Sequence, residues 1–307
     1  MSQPVRSRNP RGRPPRKGQG RGRPRPQAPA REIAPPPPPA ESPYEVLSRQ
    51  AVANRRRARS AVGLTAALPS LVLSVVVGAL LGWWLAPIVL VGLTATGSAW
   101  LWRLGPRVAL RDLDLSPLAP IGREAAGLHN LVEGLCAVAG LPKPRLLVFD
   151  DPSANCLVVG TRAEDTRLVV TSGLLLALSR IEMEGVVAHQ LSHIRRGDAV
   201  VGAAAAVSVA PLTALFPSLG ARATAWLLGG REVPTDVAAV GLTKVPPGLA
   251  SALEQMSSLR TAPSSPRLDL LWDIAPEPPA EVGRPGRTGL RRPGNSVEDR
   301  ISALREL

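Results

Sequence analysis

Cysteine is scarce in this chain. Cys136 and Cys156 are the only two among 307 residues, which excludes a disulfide scaffold and leaves the redox compartment undecided. Lysine is scarce too, three residues beside many arginines, and with the abundant Ala, Gly and Pro this reflects GC-rich coding without functional weight. Acidic residues are nearly missing from positions 1–60, where fifteen of the 37 Lys+Arg residues face only Glu32, Glu41 and Glu45. Twelve of the thirteen net positive charges therefore belong to that stretch, and the other 247 residues are nearly neutral. A globally basic nucleic-acid-binding domain is excluded as a description of the whole. Length allows two domains at most, at about 100 to 200 residues each.

Residues 1–43 hold almost no large apolar side chains and run through five prolines, Pro35 to Pro39. Such a segment cannot bury enough apolar surface to offset its ordering entropy, so the sequence predicts a disordered tail with short polyproline II stretches. Arg11-Gly12-Arg13-Pro14 and Arg21-Gly22-Arg23-Pro24 repeat the core of an AT-hook, whose Arg-Gly-Arg lies in a narrow minor groove. Four-residue matches come cheaply in such composition, and a solvated basic tail is the preferred reading; nucleic acid is not the expected partner.

Charge is absent from residues 61–82 and again from 85–102, each about the length that crosses a bilayer. Gly82-Trp83-Trp84 is too short a link for a domain, so the two form a hairpin over 60–103, with Trp83, Trp84, Trp100 and Trp102 near the interfaces. The alternative, a buried helical pair in a soluble core, suits uncharged runs of this length poorly. Arg55, Arg56, Arg57 and Arg59 precede the hairpin, and Arg103, Arg107 and Arg111 follow it. The positive-inside rule then places both the 1–59 tail and the 104–307 domain in the cytoplasm, with a multi-pass chain in the cell membrane. An apolar run starting after residue 60 also comes too late for a cleaved signal peptide.

Leu128, Leu131, Val132 and Leu135 recur at helical spacing before a Gly140/Pro142 stop. His129 on this helix reads as a surface or cap residue. Residues 145–150, 156–160 and 168–171 read as strands, the last two as an antiparallel pair. Ser179-Arg180-Ile181-Glu182 has capping-box form and opens a helix through at least Arg195. That helix carries His189-Gln190-Leu191-Ser192-His193, and spacing of four puts both imidazoles on one face, where they can share a metal ion.

The stretches 141–150 (LPKPRLLVFD), 155–160 (NCLVVG), 170–175 (VTSGLL) and 185–194 (GVVAHQLSHI) closely resemble HtpX-type membrane metallopeptidases, to which the zinc CAAX prenyl proteases are related. The resemblance continues through Arg231-Glu232, Asp236, residues 242–249 and residues 298–305, and covers roughly 61–307. It implies an α+β fold: a mainly helical zincin-type metallopeptidase domain with a small antiparallel sheet, preceded by the transmembrane hairpin. It also implies one zinc ion on His189, His193 and Glu232, with Asp236 orienting a ligating His, and a further membrane-associated helix at 199–216. The strand near 155–160 would be the edge that pairs with an extended substrate.

Where the family carries a catalytic Glu, this chain has Gln190. Peptide hydrolysis needs a group that takes the proton of the zinc-bound water and delivers it to the leaving amine, which a neutral amide cannot do. Pro234 and Thr235 depart as well, where the family continues a helix, so Glu232 is either displaced or its helix starts later. The expected protein is thus a membrane-anchored homologue that keeps zinc with impaired or absent endopeptidase activity, acting on membrane or unfolded proteins or on a partner peptidase. Its competitors are an active zinc endopeptidase and a membrane-tethered binder of nucleic acid or anionic lipid, for which attraction to the inner leaflet is the most economical use of the arginines.

Overall fold

The computed structural model describes residues 43–259, 267–274 and 296–307. The AT-hook-like repeats and the proline run lie outside the described residues. Helix α1 (Pro43–Leu81) and helix α2 (Leu85–Leu110) form the expected hairpin. Gly82 turns the chain at φ 121°, a conformation that only glycine adopts easily, and Leu85 N–H closes the turn on the Gly82 carbonyl. The helix begins well before residue 60: residues 43–59, assigned to the tail by their arginines, are helical. Asn54 and Ala58 explain the difference, because both are buried against the rest of the protein while Arg55, Arg56 and Arg57 point outward.

Beyond its first four turns the hairpin shows apolar side chains to its surroundings, among them Leu68, Val72, Leu80, Trp83, Trp84, Ile88, Val91 and Trp100. In water such a surface is an association hazard, whereas hydrocarbon solvates it and the helical backbone is satisfied internally. A third helix, α6 (Asp198–Leu215), is also long and apolar enough to cross a membrane. It differs in setting, since 72% of its apolar window is buried inside the protein. Its alanines permit close packing, with the Gly105 backbone of α2 against the Ala203 carbonyl.

Between hairpin and α6 the chain forms strand β1 (Leu115–Pro117), helix α3 (Arg123–Ala139), strands β2 (Arg145–Phe149), β3 (Cys156–Val159) and β4 (Arg167–Thr171), and helices α4 (Ser172–Ala177) and α5 (Arg180–Arg195). After α6 come α7 (Pro217–Leu228), α8 (Glu232–Thr243), α9 (Pro246–Ser258) and α10 (Val297–Arg305). The sheet order is β1-β2-β4-β3. β3 pairs antiparallel with β4, Cys156 opposite Val170, as the sequence suggested. The sheet is nonetheless mixed, because β3 lies on the outer side of β4 and leaves β2 and β4 running parallel, Leu147 opposite Val169.

Alternate residues of these strands enter two cores. Leu146, Cys156, Val158, Leu168 and Val170 pack with α3, α5 and α9, while Leu157, Val159 and Val169 pack with the end of α2, with α6 and with Trp272. The capping box on α5 is formed, Ser179 Oγ accepting from Glu182 N–H and Glu182 Oε2 from Ser179 N–H. Gly185 lets α9 approach so closely that a Cβ there would stand 2.8 Å from Leu249 N. Helix α5 is thereby held between α9 and the sheet.

Candidate metal centre

His189 and His193 leave α5 on the same face and are buried, at 0% and 6% exposure. Their rings meet edge to face with Nε2 atoms 3.0 Å apart. Glu232, the first residue of α8, brings Oε2 to 3.5 Å from each Nε2. Pro234 does not displace it. The helix starts at Glu232, so Pro234 sits in the first turn, where a backbone N–H has no partner within the helix to lose. Thr235 closes that turn through its N–H and Oγ1 on the Arg231 carbonyl.

These three atoms fit a zinc ion. A triangle of 3.0, 3.5 and 3.5 Å sides has a circumradius of about 1.9 Å, so one ion can lie about 2.0–2.1 Å from all three, the ordinary Zn–N and Zn–O lengths. Among the described residues, this is the His/Cys/Asp/Glu group whose donor atoms lie within 4.8 Å of one another.

The surroundings fix the rings. Asp236, one turn after Glu232 on α8, sets Oδ1 2.7 Å from His189 Nδ1, which leaves Nε2 facing His193 and Glu232. Asp198, opening α6, does the same for His193 with Oδ2 at 3.0 Å from Nδ1. Arg300 of α10 grips Asp236 with Nε and Nη2, both at 2.8 Å, and reaches Asp273 Oδ1 with Nη1 at 3.3 Å. Burial opposes ionisation of Asp236, but His189 and Arg300 outweigh it and hold its pKa below the carboxylate range. Burial likewise opposes a charged His189, yet Asp273 and Asp236 carry its pKa well above the ordinary value. The cluster attracts positive charge, and a metal ion would compete with that proton for His189.

Gln190 is buried in the same wall, in contact with the Cys156 thiol of β3. It lines, with Val158, His193, Asp198 and Leu271, a cavity of about 20 Å³. That holds roughly one water molecule and no peptide. His129 takes no part, since its Nε2 bonds the Leu118 carbonyl.

Sequence reasoning missed Asp273. Its side chain is fully buried, and Oδ1 stands 3.2 Å from His189 Nε2, the nitrogen that faces His193 and Glu232. Arg300 was visible only as part of a C-terminal motif and Asp198 not at all, although the burial of a charge beside an HxxxH helix needs partners of this kind.

Residues 123–262 match the profile of peptidase family M48. That stretch is similar to peptidase family M48. It is similar to the protease HtpX homologue of Dictyoglomus thermophilum, 35% identical over 170 residues, 45% of this chain and 56% of that protein. It is 37% identical to the Streptococcus uberis protease HtpX homologue over 113 residues, 37% of each chain. The chain thus aligns over about half the length, or less, of these relatives. Among solved structures it is similar to Ste24p of S. mikatae, with a TM-score of 0.45 and 14% identity over 77% of this chain and 61% of that one.

Proposed function

We propose that this protein is a membrane-anchored HtpX-like M48 homologue that holds one zinc ion on His189, His193 and Glu232 and has impaired or absent endopeptidase activity. The observation that carries the reading is the neutral, buried amide of Gln190 beside the ligand pair. Zinc in such a site polarises a bound water and lowers its pKa. Gln190 can hold a water by hydrogen bonds, but it has no basic oxygen to take the proton and none to return it to a leaving amine. Losing that relay costs about 10²- to 10⁴-fold in rate. Asp198 and Asp236 do not replace it, because each faces the outer nitrogen of a ligating His.

The hairpin anchors the domain, and the arginines flanking it put tail and domain on the cytoplasmic side. Membrane lipid is then the constant partner, and membrane proteins, unfolded chains or an active peptidase are the proteins such a binder would engage. The test is metal content with activity on one preparation. Wild type purified without chelators should carry about one zinc per chain, His189→Ala with His193→Ala none, and wild type should hydrolyse casein no faster after zinc is added. Zinc-dependent hydrolysis by wild type would make it a working endopeptidase.

A further inference from the structure

Helices α6 and α7 leave the His189, His193 and Glu232 group and come back to it. Asp198 opens α6 and faces His193 Nδ1 at 3.0 Å. Arg231, between the end of α7 and Glu232, donates from Nη1 to the Asp198 carbonyl at 3.4 Å and from Nε to the Leu228 carbonyl at 3.0 Å. The far end is a tight turn: Phe216 N–H donates to the Leu212 carbonyl at 2.7 Å, and a Cβ on Gly220 would stand 2.2 Å from Thr213 Oγ1. On the return, Leu227 and Leu228 share one buried cluster with Val201 and Ala205. Both ends of the pair therefore lie on the same side of whatever its tip enters.

The lengths decide how far that is. At 1.5 Å per residue α7 measures about 18 Å, too short to bring the chain back across a hydrocarbon core of about 30 Å. Charge on the hairpin ends at Arg59 of α1 and resumes at Arg103 of α2, which marks the hydrocarbon border. Ala58 and Val62 share a cluster with Ala204 and Ala205, and Gly105 lies against the Ala203 carbonyl, so the border passes α6 near Ala205. From there to Leu215 is about 15 Å, the depth of one leaflet. Leu215, Phe216, Leu219 and Trp226 are exposed around the tip and along α7, a surface that hydrocarbon solvates and water does not. Arg222 is the one charge in residues 199–230, and its long side chain can reach back to the headgroups.

We infer that α6 and α7 form a re-entrant hairpin that dips into the cytoplasmic leaflet and returns without crossing the membrane. The inference rests on the membrane-anchored reading above and goes beyond it. Asp198, and with it the donor group, then stands about 10 Å above the hydrocarbon, at the level of headgroups and of chain segments leaving the bilayer.

Ser218, exposed at the tip, tests this in the full-length protein with Cys136 and Cys156 replaced. An impermeant maleimide should leave Ser218→Cys unlabelled in intact cells and in opened cells alike, and should label it once detergent is added, whereas Ser258→Cys should react as soon as cells are opened. A nitroxide on Ser218→Cys in vesicles should collide more with oxygen than with a water-soluble nickel chelate, at a depth of about 15 Å or less. Labelling of Ser218→Cys in intact cells would mean that α6 crosses, and labelling in opened cells without detergent would mean that the tip lies in water. Either result would overturn the inference and leave the anchored reading standing. Release of the whole chain from membranes by alkaline carbonate would overturn both.

Discussion

The side-chain amide of Asn54 donates to Asp198 Oδ1 at 2.7 Å, across 144 positions of sequence. The same amide reaches the Arg196 carbonyl at 2.9 Å, and the other oxygen of Asp198 faces His193 Nδ1. The N-terminal part of the hairpin therefore supports His193, one of the three close donors, through one carboxylate. The anchor is part of the site's architecture as well as a tether.

Replacing Asn54 should loosen that support. Asn54→Ala leaves a buried carbonyl and a buried carboxylate oxygen without this donor, a cost of about 1–3 kcal/mol. The expected outcome is a lower melting temperature in detergent and weaker zinc retention against a chelator, read by competition with a chromogenic dye. Unchanged retention would mean that Asp198 holds His193 without help from α1.

Metal stoichiometry should separate Glu232 from Pro234. Glu232→Ala removes one of three close donors and should reduce zinc well below one per chain. Pro234→Ala should leave zinc content as in wild type, because the first helical turn has no backbone hydrogen bond for proline to break. Zinc loss in Pro234→Ala would show that the fixed φ of proline is needed to start α8 at Glu232.

Much of this arrangement was legible in the sequence, and the illegible remainder has a common cause. Uncharged runs announced the hairpin, Ser179 with Glu182 announced the start of α5, and the spacing of His189 and His193 announced the shared face. These signals are local. β1 is three residues long and contains Pro117, which suits an edge strand but makes no periodic run. The parallel pairing of β2 with β4 depends on which side β3 takes. Asp273 lies in a short stretch with no periodicity of its own, and its role arises only because Asp273 N–H meets the Cys156 carbonyl far away in sequence. Residues 43–59 were misassigned because their arginines dominate the composition, while Asn54 and Ala58 define the buried helical face.

Acid should weaken the cap of the histidine helix. Burial raises the pKa of Glu182, but hydrogen bonds from Ser251 and from Ser179 more than offset this and hold it below the ordinary 4.5. A carboxylate lowered on folding adds stability that is present above about pH 4.5 and is lost as pH falls through the folded value. Wild type should therefore melt higher than Glu182→Gln near neutrality, and the gap should close as pH falls below 4.5 and on through the lowered folded value. A gap independent of pH would assign the effect to packing.

Topology follows from the flanking arginines. With Cys136 and Cys156 replaced, single cysteines at the exposed positions Val52 and Ser258 should resist an impermeant maleimide in intact cells and react after lysis. Reaction of either from outside would reverse the orientation.

The central claim is a metallopeptidase fold without its hydrolytic machinery, and the rate of casein hydrolysis by zinc-loaded, full-length protein tests it most directly. Wild type should be inactive, and Gln190→Glu, which restores a carboxylate beside the ligand pair, should exceed wild type by about 10²-fold or more and be silenced by a chelator. Chelator-sensitive hydrolysis by wild type at the rate of Gln190→Glu would contradict the account.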